Sequence, residues 1–164
     1  MLTLWTIQTF EAFKALQDKE ILYGDWRRIC YRDFKRSYLW MISQMEQRGL
    51  STLGKPPFWA WEKKPDLRQR AHLESGKKGV RLKLQVPRNL VLFSNWEAWH
   101  FVLNDWRITA VDTDDDNVLK EPKNWEVIFD EKISSTYDFN EIRQACLPYL
   151  DLIWVTNYQY FTAR

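Results

Sequence analysis

The feature that most restricts the fold is a strict alternation of apolar and polar residues over residues 80–86. The apolar members are Val80, Leu82, Leu84 and Val86, and the polar residues between them are Arg81, Lys83 and Gln85. Successive side chains of a β-strand point to opposite faces, so the pattern predicts a strand with one face in a core. The chain must therefore build a sheet whose second face is solvated or covered by polar groups.

A second strong pattern predicts a helix over residues 33–48. Apolar and aromatic residues recur there at steps of three and four: Phe34, Tyr38, Met41, Ile42 and Met45. That spacing places them on one face of a helix, as a stripe typical of core packing. Asp33 is a suitable N-cap, and Gly49 stands where a helix commonly ends in the left-handed conformation.

The other elements give the fold class. Strands are predicted at 2–7, 58–61, 90–93, 142–147 and 153–160, and shorter helices at 10–19, 96–103 and 125–129. Thr9 and either Ser94 or Asn95 are the expected N-caps. The apolar run 152–155 predicts that the last strand is central in its sheet. With no repeat or linker, the sequence favours one α+β domain over residues 1–164.

Charge and aromatic residues are unevenly used. The chain has 10 Trp, 9 Phe and 7 Tyr, more large rings than a core of this size buries, so some should line a groove or contact surface. Residues 55–88 hold ten Lys/Arg and three Asp/Glu, whereas residues 95–141 hold four and twelve. This polarity either steers an anionic ligand to one face or is neutralised where the two segments meet.

Several classes of protein are disfavoured. Cys30 and Cys146 form no Cys-x-x-Cys pair and are expected to be buried free thiols. No signal-peptide pattern or run of 18 apolar residues occurs, so we expect no membrane span and a cytoplasmic location. Asp112, Asp114 and Asp116 imitate the start of a calcium loop, but Asn117 and Lys123 break the pattern, so no metal is expected.

Common catalytic motifs are also missing from the sequence. It has no glycine-rich phosphate loop, no nucleophile elbow and no His/Cys spacing of a metal site. Of the two histidines, His72 lies in the basic segment and His100 in the predicted 96–103 helix. His100 is either a catalytic base or ligand contact, or a hydrogen-bonded structural residue.

Four segments carry a resemblance that covers nearly the whole chain. They are Leu4–Thr9, Trp59–Trp61, Lys64–Arg68 and Trp99–Asn104. Together they resemble an uncharacterised bacterial family catalogued as a domain of unknown function. The resemblance brings no established activity with it.

The layout also resembles the ADP-ribosyltransferase-like superfamily, whose small split-sheet domain binds NAD. The opening strand runs into a helix and then Glu20-Ile21-Leu22, similar to that superfamily's start, and segments 142–147 and 153–155 occupy the places of its closing strands. The resemblance implies a small split antiparallel sheet with flanking helices and NAD as a possible substrate. Gln144 then stands in the place of the catalytic glutamate. Thr6 and Gln8 are candidates for binding the nicotinamide-side ribose, and we expect them to face a common cleft with Gln144.

The basic segment supplies the other candidate contacts to NAD. Arg68 or Arg70 could bind the pyrophosphate with paired hydrogen bonds, and Trp59 or Trp61 could stack on a flat ring. The alternatives are an ion pair of Arg68 with Asp66, and burial of the tryptophans.

Two other functions stay open at this stage. Basic residues interleaved with exposed aromatics also hold single-stranded nucleic acid, which makes residues 55–88 a possible nucleic-acid-binding surface. A protein-interaction module is the third interpretation. The sequence leaves the protein partner and any enzymatic turnover unspecified.

Overall fold

The computed structural model describes residues 1–29, 32–70, 72–109 and 123–164. Its strands are β1 (Leu2–Thr9), β2 (Ile21–Leu22), β3 (Phe58–Ala60), β4 (Lys78–Val86), β5 (Leu92–Asn95), β6 (Arg143–Leu147), β7 (Leu150–Asp151) and β8 (Val155–Thr162). Its α-helices are α1 (Phe10–Lys19), α2 (Lys35–Gln47), α3 (Trp96–Leu103) and α4 (Ile133–Tyr137). Short 3₁₀ turns cover 26–28, 32–34, 88–90, 125–129 and 152–154. The fold is a mixture of helices and small antiparallel sheets, so the predicted α+β class is confirmed.

The first sheet contains β1, β4 and β8 in the spatial order β1–β4–β8, and both pairs are antiparallel. The alternation over residues 80–86 falls in the central strand β4, whose apolar residues are fully buried. The prediction for β8 is wrong, because this strand lies at the edge of the sheet. The apolar run that predicts a central strand forms a 3₁₀ turn at 152–154, where only Trp154 is buried.

The second sheet contains β3, β6 and β5 in the order β3–β6–β5, again antiparallel. It meets the first sheet at one backbone pair, where Trp5 and Trp61 exchange two N–H···O bonds of 2.8 Å. A two-stranded sheet of β2 and β7 lies beside them. The described strands thus form small antiparallel sheets linked at Trp5.

Two hydrophobic clusters hold these layers together. The first joins Leu82 and Leu84 of the first sheet to Ala145 and Leu147 of the second, with Phe13 and Leu16 of α1 among them. The second packs α2 and α3 on the other side of β6, through Met41, Met45, Trp99 and Val102 against Cys146. The second sheet is therefore covered on both faces.

The helix caps follow the sequence at most positions. The Thr9 side chain accepts a bond from the Ala12 N–H at 3.2 Å, and Asn95 accepts one from Ala98 at 2.8 Å. Gly49 has the positive φ of 77° expected after α2. The predicted cap Asp33 is wrong: a 3₁₀ turn occupies 32–34, so the N-cap of α2 is Phe34, which offers no side-chain oxygen.

Candidate functional site

A cavity of about 550 Å³ lies between α1 and the segment that follows it. We call it the α1 cavity. Its walls are Ala12, Ala15, Lys19, Ile21, Leu22, Tyr23, Gly24, Asp25, Arg27, Arg28, Lys55 and Phe58. Residues 21–28 thus supply most of one wall, and α1 supplies the opposite one.

Side-chain hydrogen bonds fix segment 21–28 in place. Arg28 donates from Nη1 to the Thr9 hydroxyl at 2.7 Å, so the residue that caps α1 also anchors this arginine. The Trp26 indole N–H donates to the Gly54 carbonyl at 2.9 Å. Asp25 caps the 3₁₀ turn 26–28 by accepting from the Arg27 N–H at 3.0 Å. The cavity wall is therefore tied to both β1 and the loop before β3.

Gly24 is needed in this wall because it touches another part of the backbone. A Cβ atom at this position would lie 2.0 Å from the Pro56 carbonyl oxygen and 3.0 Å from its carbon. No side chain fits that gap unless the backbone moves. Glycine thus lets segment 21–28 pack against the loop that carries Lys55.

The charge around the cavity is strongly positive. Four of the lining side chains are basic, namely Lys19, Arg27, Arg28 and Lys55, and one, Asp25, is acidic. Asp25 already pairs with Arg27 at 2.7 Å, and the hydrogen bonds from that arginine lower the pKa of the carboxyl to about 2. In the described part of the chain Lys19 and Lys55 make no ion pair, so an anion in the cavity would meet uncompensated positive charge.

The predicted ribose contacts are used by the protein itself. Thr6 is fully buried and donates from its hydroxyl to the Trp59 carbonyl at 2.7 Å. Gln8 donates from Nε2 to the Thr6 hydroxyl oxygen at 2.9 Å. Thr6 is paired with Leu82 and lies on the same face of β1 as Leu4, so it points toward the first cluster.

Gln144 lies on the face of the second sheet that is opposite the first cluster. Its neighbour Ala145 points into the first cluster, so Gln144 points away from it, and its Nε2 donates to the Ser94 hydroxyl at 3.3 Å. The expected common cleft between Thr6 and Gln144 is not formed. Ser94 also lies 3.8 Å from the Cys146 sulfur, and burial raises the pKa of that thiol to about 12. Gln144 therefore takes part in a buried polar contact with Ser94.

The other predicted contacts are scattered over the molecule. The Trp59 indole donates to the Tyr38 hydroxyl at 3.2 Å, inside the aromatic packing around Trp99. His100 shares a 2.8 Å hydrogen bond between Nδ1 and the Trp96 carbonyl on α3. Arg68 binds Asp66 through paired bonds, the shortest 2.7 Å, while Arg70 is exposed. Arg68 and His100 thus form hydrogen bonds within the protein, which is what the alternative interpretations of these two residues expect.

Some sequence predictions fall outside the described residues. The Asp112–Asn117 loop and Cys30 are among them. Sequence reasoning missed Lys19, Arg27, Arg28 and Lys55 as a group, because they lie up to 36 positions apart and only folding brings them together.

A second cavity, of about 580 Å³, lies between β5 and residues 128–135. Phe93 lines it, and the centroid of its ring lies 4.5 Å from the guanidinium carbon of Arg143 and 5.4 Å from that of Arg88. Arg143 also pairs with Glu62 at 2.9 Å and lies 3.8 Å from Glu131. Because its lining holds three basic and three acidic side chains, this cavity has less attraction for an anion than the α1 cavity.

Fold and cavity together define an α+β domain with a basic pocket beside its first helix. Residues 3–145 match the family described as Domain of unknown function (DUF3841), and the chain belongs to that family. No curated protein and no solved structure matches the chain. Among the described residues, no helix has both the length and the apolar character needed to span a membrane.

Proposed function

We propose that this domain binds an NAD-like dinucleotide in the α1 cavity. The observation that carries the proposal is the concentration of four basic side chains around one cavity whose single lining carboxylate is already paired. Its size of about 550 Å³ falls within the range of about 300–1,000 Å³ usual for small-molecule sites. A ligand with two linked phosphates matches that charge.

The cavity walls offer a role for each part of such a ligand. Arg27 and Arg28 are adjacent at one wall, where Arg27 is paired with Asp25 and Arg28 donates to Thr9, so they add positive charge for phosphate groups from fixed positions. Lys19 and Lys55 add point charges from α1 and from the loop before β3. Tyr23 and Phe58 provide aromatic surface for a base or nicotinamide ring.

The fold that we propose for this site is ADP-ribosyltransferase-like. Two small antiparallel sheets that meet at Trp5, with α1 directly after the first strand, support it. The catalytic part of that resemblance has less support. Gln144 is buried against Ser94, and Asp25, the carboxylate in the cavity wall, is held by Arg27. We therefore propose ligand binding at the α1 cavity, without a transferase role for Gln144.

Calorimetry with NAD, ADP-ribose and nicotinamide mononucleotide tests this function. We expect binding of the first two, and a Kd raised about a hundredfold or more in the double variant Lys19→Ala/Lys55→Ala, because each of the two lost charge contacts is worth about 1.5 kcal/mol or more. These lysines have no ion pair in the described structure, so the variant should fold normally.

Two matched double variants separate this site from its alternatives. Lys14→Ala/Lys35→Ala removes two exposed lysines outside the cavity and should leave the Kd unchanged. Arg68→Ala/Arg70→Ala removes the phosphate contacts predicted from sequence. Loss of NAD binding in that variant, with full binding by the Lys19/Lys55 variant, would move the site to the segment that carries Arg68 and Arg70. No binding by the native protein would reject the function.

A further inference from the structure

The outer face of the first sheet carries a second, separate concentration of basic and aromatic groups. Pairing in the sheet aligns Trp5 with Lys83 and Asn157 in one row, and Ile7 with Arg81 and Gln159 in the next. Residues opposite each other in antiparallel strands share a face, so these side chains lie on the side away from the first cluster. Trp61 joins the first row through its backbone pair with Trp5.

Three cations surround the Trp5 ring. The ring centroid lies 5.3 Å from Lys64 Nζ, 5.5 Å from the Arg81 guanidinium carbon and 5.8 Å from Lys83 Nζ. Trp5 and Trp61 both keep part of their surface exposed. We call the surface formed by Trp5, Trp61, Lys64, Arg81 and Lys83 the Trp5 surface.

Arg81 is held rigidly beneath this surface. It is 8% exposed, and it donates from Nη1 to the Pro65 carbonyl and from Nη2 to the Gln159 side-chain oxygen. Among the described residues its buried Nε has no hydrogen-bond partner, and Arg81 forms no ion pair. Its charge is thus fixed in place, and the Asp66 carboxylate is close enough to interact with it.

Nearby carboxylates do not cancel these charges. Glu62 and Asp66, which flank Lys64 in the sequence, have their own arginines: Glu62 pairs with Arg143 and Asp66 with Arg68. The three strands of the first sheet contain no Asp or Glu, while β4 contributes Arg81 and Lys83 to this face. Lys64 and Lys83 make no ion pair with any residue in the described ranges. The Trp5 surface therefore carries a net positive charge.

We propose that the Trp5 surface binds single-stranded nucleic acid. Unpaired bases can stack on exposed tryptophan rings, and the phosphates between them would meet the surrounding lysines. Asn157 and Gln159 offer amide groups that can hydrogen-bond base edges. A duplex hides the faces of its bases from such a surface, so stacking on tryptophan requires a single strand. This site lies on a different part of the molecule from the α1 cavity and does not depend on it.

Fluorescence anisotropy with labelled twelve-nucleotide dT and U oligonucleotides at 50 and 200 mM salt tests the proposal. If Lys64 and Lys83 contact phosphates, affinity should fall roughly sevenfold over that range, because the slope of log affinity against log salt is about −0.7 per phosphate. Lys64→Ala/Lys83→Ala should weaken binding and make that slope shallower by about 1.4. Trp5→Leu should weaken binding about tenfold through lost stacking. The two oligonucleotides distinguish DNA from RNA as the ligand.

Controls make the outcome decisive. Lys14→Ala/Lys35→Ala removes the same number of charges elsewhere and should bind oligonucleotide normally. Lys19→Ala/Lys55→Ala should lose NAD and keep the oligonucleotide, so the two proposals can fail separately. Circular dichroism verifies folding. If Trp5→Leu does not fold, the single variant Lys64→Ala, which changes an exposed residue, replaces it in the test. No binding at 50 mM salt, unchanged binding by the Lys64/Lys83 variant, or equal competition by a duplex would each overturn the proposal.

Discussion

The two three-stranded sheets of this molecule differ in what they leave exposed. The first sheet buries one face against α1 and keeps a basic, aromatic face outward, and the α1 cavity lies beside its first strand. The second sheet is covered on both faces, and its polar residues Ser94 and Gln144 bond to each other. Both binding sites that we propose therefore lie at the first sheet and its helix, while the second sheet serves as the core.

This difference changes the expectation for Gln144. A residue in the place of a catalytic glutamate has to reach a ligand, but Gln144 is 3% exposed and faces the cluster under α2 and α3. A carboxylate there would be charged, buried and without a cation. Similarity of position along the chain thus does not establish similarity of chemistry when the two faces of a strand differ so much.

The largest expected effect comes from Gln144→Glu. Burying an unpaired carboxylate should lower the free energy of unfolding at pH 7.5 by roughly 3 kcal/mol or more. Burial raises the pKa of the introduced carboxyl above its unfolded value, so the loss should be absent at low pH and grow as the pH rises through the unfolded pKa toward the folded one. Urea unfolding at several pH values measures this.

The matched control places the same change on the first sheet. Gln85→Glu lies on its half-exposed outer face, where the Thr3 hydroxyl can donate to the new carboxylate, and should change stability by about 0.5 kcal/mol or less. Equal losses in the two variants would contradict the contrast between the sheets.

Gly24→Ala should have the next largest effect. Its Cβ would lie 2.0 Å from the Pro56 carbonyl oxygen, and relieving that overlap should cost about 1–3 kcal/mol of stability. Because Gly24 and Lys55 share the cavity wall, NAD binding should weaken as well. Thermal unfolding and calorimetry measure the two effects. Lys55→Ala is the control, because it introduces no such overlap and should keep native stability. A stable Gly24→Ala protein that binds NAD normally would refute the role given to the contact between Gly24 and Pro56.

Thr9→Ala should have a smaller effect on stability. It removes the cap of α1 and the oxygen that receives Arg28, and loss of such a cap costs about 1 kcal/mol. Thr9→Ser keeps the hydroxyl and should restore most of the stability and ligand affinity. Chemical denaturation of both variants tests this, and equal stability of the two would show that the hydroxyl is unimportant.

Asp25→Asn should change stability least, by under about 0.5 kcal/mol, because the ion pair with Arg27 is solvent-exposed. The pair's small contribution is present above the unfolded pKa of 3.8 and lost as the pH falls through the folded value of about 2. Carbon-detected NMR titration of the carboxyl checks that lowered pKa. In Arg27→Ala the pKa should return toward 3.8; no change would remove Arg27 as the cause.

Local patterns predicted the elements better than the site. The alternation in β4 and the caps Thr9 and Asn95 act between neighbouring residues, so the sequence specifies them directly. The sheet order and the cation cluster depend on contacts between distant segments. Lys19 and Lys55 share a cavity only because Gly24 packs on Pro56, and no local pattern encodes that approach. The face on which Gln144 lies likewise follows from the pairing of β6 with β3.

The order of strands in the first sheet has a consequence for how the chain folds during synthesis. Strand β4 pairs on one side with residues 2–9 and on the other with residues 155–162, so each pairing closes a loop of roughly 70 residues. Sheets built from such distant segments fold slowly, because the entropy of loop closure is lost before the contacts form. While residues 155–162 are still on the ribosome, one edge of β4 has no partner. The nascent domain should therefore depend on chaperones, or on slow elongation, more than a helical protein of equal length does.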